Sequence, residues 1–485
     1  MCPTPLRQPC TPSTQTRTAF QKSRRIMATL GAQSGNDSCS SLLVYPVRSY
    51  RCSLLVIMTE ITLDFLQGLL KDDYPDVTIT QYEGAPGSKR GDNYTSMVYR
   101  ISLTGIRRYV EPDGSSESDE PWESSIIYKC LPESILRREA FKSDELFCNE
   151  VAFYNKIWPA LHSFQQQWNV HNPFKSIPKC YLAQNDCLVL KDLKMEGYVM
   201  PDRHQGLSVE QCYFVLKHLS QFHALSLAMK CHDPEAFYEL LNIKDGISEV
   251  FYVEENVSYY KDYYMEATRN AIAMVEEEMA DAEDKDHYLD KFRSFCSEET
   301  FFHTMVELVT PKEPLAVIGH GDCWTNNFLF KYVDGDIADM YIVDFQLVRY
   351  ASPALDLVYI MYLCLDRQQR AEHLTSLLEY YVDELHRRLV QMSNEDSVFN
   401  TSLNRDALYE LLQEEFKRTG RFGLGIAVDM YPIMTCDSDE APNVYQHEDS
   451  EPSSTARLQP VQTSSAACRR KMTELVIELV DSGVL

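Results

Sequence analysis

The chain has 485 residues and is 44% hydrophobic, so it can bury a sizeable core, and its length allows two or three domains. A formal net charge of −26 argues against nucleic acid or an anionic membrane as the main partner. The 15 cysteines are scattered, odd in number and without a CxxC pair, which reads as reduced thiols of a cytosolic protein; no HExxH, Walker A sequence or membrane-length apolar run occurs.

Residues 1–57 are rich in Ser, Thr, Pro and Arg, with seven Lys/Arg against one Asp, so the rest is more acidic than the whole. A transit segment is one reading, but Pro3, Pro5, Pro9 and Pro12 would break its helix. A disordered extension, with the structured part starting near Met58, is the expectation. Ile61, Phe65 and Leu69 recur at helical spacing within Thr59–Lys71. Val77–Thr80 reads as a strand, then Gly84, Gly87 and Gly91 precede a strand at Met97–Leu103. Glycines between two strands suit a turn, or a loop whose backbone approaches phosphates. Arg107–Trp122, with its run of acids and serines, reads as a solvated loop joining two strands.

Ser125–Leu131 is an apolar strand carrying Lys129. Such a lysine can snorkel to water, but it also stands where V-A-I-K stands in kinases and could hold nucleotide phosphates. The helical stretch Arg138–Trp158 offers Glu145 and Glu150 as its acidic partner. Cys180–Ala183 and Leu188–Leu190 read as strands around Gln184–Asp186. Ser208-Val209-Glu210-Gln211 is a capping box that opens a helix through about Met229, with His223 read as a core histidine bonded to backbone. Phe251–Glu299 is helical, and its Tyr252, Tyr259, Tyr260, Tyr263 and Tyr264 are either core or the lining of an acceptor pocket.

Val317–Gln346 carries the chemistry. His320-Gly321-Asp322-Cys323-Trp324-Thr325-Asn326-Asn327 puts Asp322 and Asn327 five apart, as in H-R-D-x-x-x-x-N, and Asp344-Phe345-Gln346 stands where a kinase has D-F-G. Phosphoryl transfer needs a carboxylate beside the acceptor hydroxyl and oxygen ligands for Mg²⁺ on the nucleotide phosphates. Asp322 takes the first role; Asn327 and Asp344 are the expected metal ligands. Further helices are expected at Leu357–Leu365, Gln368–Met392, Asp406–Thr419 and Lys471–Val480, with a disordered or loop segment at 435–468.

HGDCWTNN, VDFQ, Ser352-Pro353-Ala354 and Asp356-Leu357 together resemble the ecdysteroid kinase-like (CHK kinase-like) family, relatives of choline kinases and aminoglycoside phosphotransferases. The resemblance runs from about Met58 to the C-terminus. It implies an α/β (α+β), protein-kinase-like bilobal fold, with a small β-rich N-lobe at 58–190 and a larger, mainly helical C-lobe at 191–485. It implies ATP and Mg²⁺ as cofactors and a small hydroxylated acceptor, an ecdysteroid or another metabolite or xenobiotic; a choline- or aminoglycoside-type kinase and a catalytically inactive pseudokinase binding module are the alternatives, and a cytoplasmic monomer is the expectation. Gly91, Asp92, Asn93, Tyr94, Thr95 and Ser96 resemble the loop that covers the phosphates. Glu150 lies on what resembles the family's E-x-x-F-Y pattern, which makes it the favoured partner of Lys129. Leu190 and Asp192 belong to the hinge that pairs with adenine, where Lys191 replaces the usual acid. His320 joins Asp322, Asn327 and Asp344 in the catalytic set, with Trp324, Gln346 and Asp356 supporting it. The absence of A-P-E after Asp344 disfavours a protein kinase.

Overall fold

The computed structural model describes residues 61–88, 95–110, 117–132, 135–168, 170–184, 186–437, 460–461 and 465–485. The segment 1–57, most of 435–468 and the loop residues Gly91–Tyr94 therefore lie outside the described residues.

The first half builds a five-stranded antiparallel sheet from β1 (Val77–Pro86), β2 (Met97–Val110), β3 (Glu117–Cys130), β4 (Cys180–Ala183) and β5 (Cys187–Lys191), in the order β1-β2-β3-β5-β4. Alternation decides which face is buried: Tyr99, Ile101 and Leu103 of β2 point into the core, with Ile79, Trp122, Ile126 and Val189 beside them. Helix α1 (Leu63–Leu70) covers this face with Leu66 and Leu70; Thr62 caps it by accepting from the Phe65 amide.

The expected loop at Arg107–Trp122 is corrected. β2 and β3 stay paired from Met97–Cys130 out to Val110–Glu117. The charged residues of that ribbon sit on paired strands, Arg108, Asp119 and Glu120 exposed to water and Arg107 half-buried, so polarity there marks solvent beside the strands and not the end of the sheet.

Helix α2 (Ser143–Ala152) runs through a π-helical turn at Phe153–Ile157 into Trp158–Gln167. Beyond β5 the chain is mainly helical: α3 (Val209–His232), α4 (Val257–Glu278), α5 (Phe301–Val309), α6 (Ala354–Tyr359), α7 (Arg367–Gln391), α8 (Arg405–Thr435) and α9 (Ala466–Asp481). The capping box at Ser208 and Gln211 is formed. α7 lies along α3, and α8 packs on α6 and α9. Two small sheets interrupt the helices: β6 (Tyr198–Val199) with β8 (Phe328–Val333) and β9 (Asp336–Ile342), and β7 (Val317–Gly319) with β10 (Arg349–Ala351).

The large helical core is a separate apolar cluster from that of the sheet, so the molecule is an α/β, protein-kinase-like bilobal fold with a small β-rich lobe and a larger helical one. Among the described residues no helix is long and apolar enough to cross a membrane.

Candidate active site

The central loop is set by one buried carboxylate. Asp356, in the first turn of α6, accepts from the His320 amide at 2.7 Å and the Gly321 amide at 2.8 Å. Burial pushes this carboxyl up, but the hydrogen bond and charge of His223, the charge of His320 and the Gly321 amide outweigh it and hold it at about 2. Gly321 has φ +85°, and a Cβ there would stand 1.9 Å from the Leu347 carbonyl oxygen, so the turn admits only glycine.

His223 is fully buried, as expected, but its partners correct the reading. Its Nε2 meets Asp356 Oδ2 at 3.0 Å and its Nδ1 meets the Tyr381 hydroxyl at 2.8 Å, so it bonds side chains and not backbone. His320 is also fully buried. Its Nε2 lies 2.9 Å from the Val343 carbonyl and its Nδ1 3.2 Å from the Asp322 amide. Both nitrogens are spent on backbone, so His320 ties the Asp322 loop to the strand leading to Asp344.

Asp322 is partly exposed at the tip of this loop. Its Oδ1 accepts from the Tyr359 hydroxyl at 2.7 Å and its Oδ2 from Asn327 Nδ2 at 2.8 Å. The same amide nitrogen donates to the Asp322 carbonyl at 2.8 Å. Burial and the Asp344 charge raise the Asp322 carboxyl above its ordinary range, against the pull of Tyr359 and Asn327.

Lys129 joins the two lobes. Its ammonium lies 2.7 Å from Glu150 Oε2 and 2.8 Å from Asp344 Oδ1, and both Lys129 and Glu150 are buried. Glu145, the alternative partner, is exposed on the same helix. Burial, with the Asp344 charge, raises the Glu150 carboxyl against the attraction of Lys129. Glu150 Oε1 also accepts from the Phe345 amide at 3.3 Å, and the Phe345 ring stacks on Phe153 at 3.9 Å. Asp344 itself has φ +67°, a region that few residues besides Gly, Asn and Asp tolerate.

Asn327 and Asp344 are brought together because the Asn327 carbonyl accepts from the Val343 amide at 3.0 Å. With its amide nitrogen on Asp322, Asn327 keeps Oδ1 for another partner, and Asp344 has one oxygen not engaged by Lys129. Two hard oxygen donors on adjoining segments fit Mg²⁺, which takes one or two protein ligands and completes its shell with phosphate and water.

The remaining expected residues fall as follows. Thr95 donates to Gln346 Oε1 at 2.5 Å, so the end of the glycine loop touches the DFQ segment, and Ser96 is fully buried. Leu190 lies on β5 opposite Ile127. The Asp192 carboxylate is taken up by Arg100 and Ser125, each at 2.6 Å, so its side chain ties the segment after β5 to the sheet. Trp324 is buried in the helical core. Tyr252, Tyr260 and Tyr264 are 3–6% exposed and belong to the core, whereas Tyr259 is exposed.

Three residues escaped the reading of the sequence. Tyr359 follows Asp356 by three positions on α6, one helical turn, a spacing that would have placed it on the same face. Arg349 of β10 pairs with Glu249 at 3.1 Å and donates to the Gly321 carbonyl at 3.4 Å. Asn149, beside Glu150, donates to the Ser248 and Gln346 carbonyls at 2.8 and 3.2 Å. For Arg349 and Asn149 no local pattern gave a signal.

This fold, with Lys129, Glu150, Asp344, Asp322 and Asn327 gathered in one place, defines a protein of the kinase-like class. The chain belongs to the Ecdysteroid kinase-like family, which it matches over residues 90–394. No curated protein matches it. Among solved structures it is similar to choline kinase from Cryptosporidium parvum Iowa II, at 10% identity and a TM-score of 0.40 over 87% of this chain and 98% of that one. It is also similar to wild-type aminoglycoside 2'-phosphotransferase-IIIa in its GDP complex, at 12% identity and a TM-score of 0.35 over 87% of this chain and 100% of that one.

Proposed function

We propose that the protein is an ATP- and Mg²⁺-dependent phosphotransferase that moves the γ-phosphoryl group to a hydroxyl of a small organic molecule. The observation that carries this reading is Lys129 held between Glu150 and Asp344 at 2.7 and 2.8 Å, with Asp322 on the adjoining loop. In this reading Lys129 binds the nucleotide phosphates and Glu150 fixes it there. Asn327 and Asp344 hold the metal, which supplies charge to the phosphates. The backbone around Leu190 takes the adenine. The lobes meet near residue 190.

Asp322 orients the acceptor hydroxyl. A new bond forms between that oxygen and the γ-phosphorus while the bond to the bridging oxygen of the leaving diphosphate breaks. The acceptor proton passes to Asp322 late in this step, because a loose transition state asks little activation of the nucleophile. Tyr359 and Asn327 keep the carboxylate aimed. The acceptor in this reading is an ecdysteroid or another hydroxylated, fairly apolar metabolite, and the family's name supports the first of these. The test is to incubate the protein with radiolabelled ATP, Mg²⁺ and an ecdysteroid, a phenolic glucoside, choline or an aminoglycoside. Labelled ecdysteroid or glucoside that disappears in Asp344→Ala supports the reading. Label on choline or the aminoglycoside alone contradicts the acceptor class, and no label on any compound contradicts the activity.

A further inference from the structure

The helix that carries Glu150 is tied down by the residue before it. Asn149 is buried in the interior of α2, where an amide side chain adds nothing to the helix itself. Its Oδ1 accepts from the Ser248 amide at 2.9 Å, and its Nδ2 donates to the Ser248 carbonyl at 2.8 Å and the Gln346 carbonyl at 3.2 Å. Both amide hydrogens and a lone pair of the oxygen are thereby engaged. Three segments meet at this one side chain: α2, the loop at Ser248 and the DFQ segment.

Adjacent residues of α2 thus grip adjacent residues of the DFQ segment. Asn149 holds Gln346, and Glu150 Oε1 accepts from the Phe345 amide at 3.3 Å. The carboxylates of Glu150 and Asp344, which flank the Lys129 ammonium at 2.7 and 2.8 Å, therefore sit on one bonded unit, whereas Lys129 belongs to β3 of the sheet. Packing agrees: Phe147 and Val151 of α2 belong to the helical core and not to that of the sheet. The chain around Ser248 also holds both ends of the helix. Lys156, in the π-helical turn, donates to the Lys244 and Asp245 carbonyls at 2.6 and 2.9 Å, and the Tyr259 hydroxyl donates to the Glu139 carbonyl, ahead of α2, at 2.9 Å.

We propose that Asn149 is a positioning residue: by bonding Ser248 and Gln346 it fixes Glu150 beside Asp344, so that the two carboxylates form a preset seat for the Lys129 ammonium. Asn149 acts through Glu150 and touches no substrate. Without it α2 shifts against the DFQ segment, and Glu150 parts from Lys129. The consequence for turnover rests on the kinase reading, in which Lys129 binds the nucleotide phosphates; the seat itself does not.

The experiment is a double-mutant cycle on the full-length chain: Asn149→Ala and Asn149→Asp, each alone and combined with Glu150→Gln, all first checked for cooperative melts. Asn149→Asp keeps the size and the acceptor for the Ser248 amide but cannot donate to Gln346, and it carries the test if Asn149→Ala does not fold. Two quantities are read. One is the rate at which acetic anhydride acylates Lys129 without ATP, followed by peptide mass spectrometry. The other is kcat/KM for ATP with the same four compounds as acceptors. Both Asn149 variants are expected to speed the acylation of Lys129 and to lower kcat/KM, each about tenfold, as for loss of a buried hydrogen bond, with the acceptor KM unchanged. In the Glu150→Gln background the same substitutions should change either quantity by less than about twofold, because the two residues act in one chain of contacts. A residue that only supported the fold would cost as much in both backgrounds. Acylation unchanged by the Asn149 variants, equal effects in the two backgrounds, or full recovery in Asn149→Asp overturns the proposal. Acylation that follows the cycle in a wild type that phosphorylates none of the four compounds upholds the seat and contradicts the kinase reading.

Discussion

The Tyr359 hydroxyl donates to Oδ1 of Asp322 at 2.7 Å, and Asp356, one turn earlier on the same helix, holds the amides of the loop that carries Asp322. One short helix thus fixes both the backbone and the carboxylate of the proposed base.

Removing the hydroxyl should move the pH profile. Burial and Asp344 raise the Asp322 carboxyl, and Tyr359 opposes them. A base must be ionised, so activity is lost as the pH falls through the raised value. Tyr359→Phe withdraws the opposing hydrogen bond, so the acid limb of kcat/KM should shift to higher pH. At its plateau kcat should fall about tenfold, as for one hydrogen bond to a charged group. A pH–rate series checks both, and an unmoved acid limb would separate Tyr359 from the titration of Asp322.

The Lys129 contacts make a second expectation. Lys129→Met keeps the stem and loses the charge, and should lower kcat/KM for ATP by about a hundredfold or more, the cost of losing a transition-state charge contact. Glu150→Gln should lower it less, and Glu145→Gln, on the exposed face, should be silent. Steady-state kinetics of the three variants decide this. Damage from Glu145→Gln with none from Glu150→Gln would contradict the pairing.

Asp356 gives a stability test with a definite sign. Its carboxyl is held at about 2 in the fold, below its unfolded value, so its stabilisation is complete above the unfolded pKa and is lost as the pH falls toward 2. Asp356→Asn should therefore cost about 2–3 kcal/mol near pH 7 from this linkage. The difference from wild type should shrink between pH 4 and pH 2. Urea melts across that range measure it, and a constant difference would show that the charge is not the source.

Much of the candidate site was legible because the proposed phosphoryl transfer asks for a fixed spacing within one loop. Asp322 and Asn327 are five apart, and the structure brings Asp344 beside them through the bond between Asn327 and Val343. Lys129 stood out as a charge in an apolar strand, and the structure places Glu150 against it. Arg349 and Asn149 were invisible because their partners, Glu249 and Ser248, are distant in sequence and meet them only in the folded chain.

The fold was misjudged where propensity yields to packing. α8 runs to Thr435 and not to Thr419, through Gly420, Gly423 and Gly425. A Cβ at Gly423 would lie 2.4 Å from Tyr362, and one at Gly425 2.4 Å from Met305. These glycines end nothing; they let neighbouring elements approach, and tertiary contact overrides their low helix propensity.

The most direct test of the central claim is the turnover of Asp322→Asn with a phosphorylated acceptor, measured beside its ATP affinity. Asparagine keeps the size and hydrogen bonding of the side chain but cannot take the proton. The account predicts that kcat falls about a hundred- to ten-thousandfold, the range for loss of a general base, while the dissociation constant of ATP with Mg²⁺ stays within about twofold. Full turnover in Asp322→Asn would contradict it.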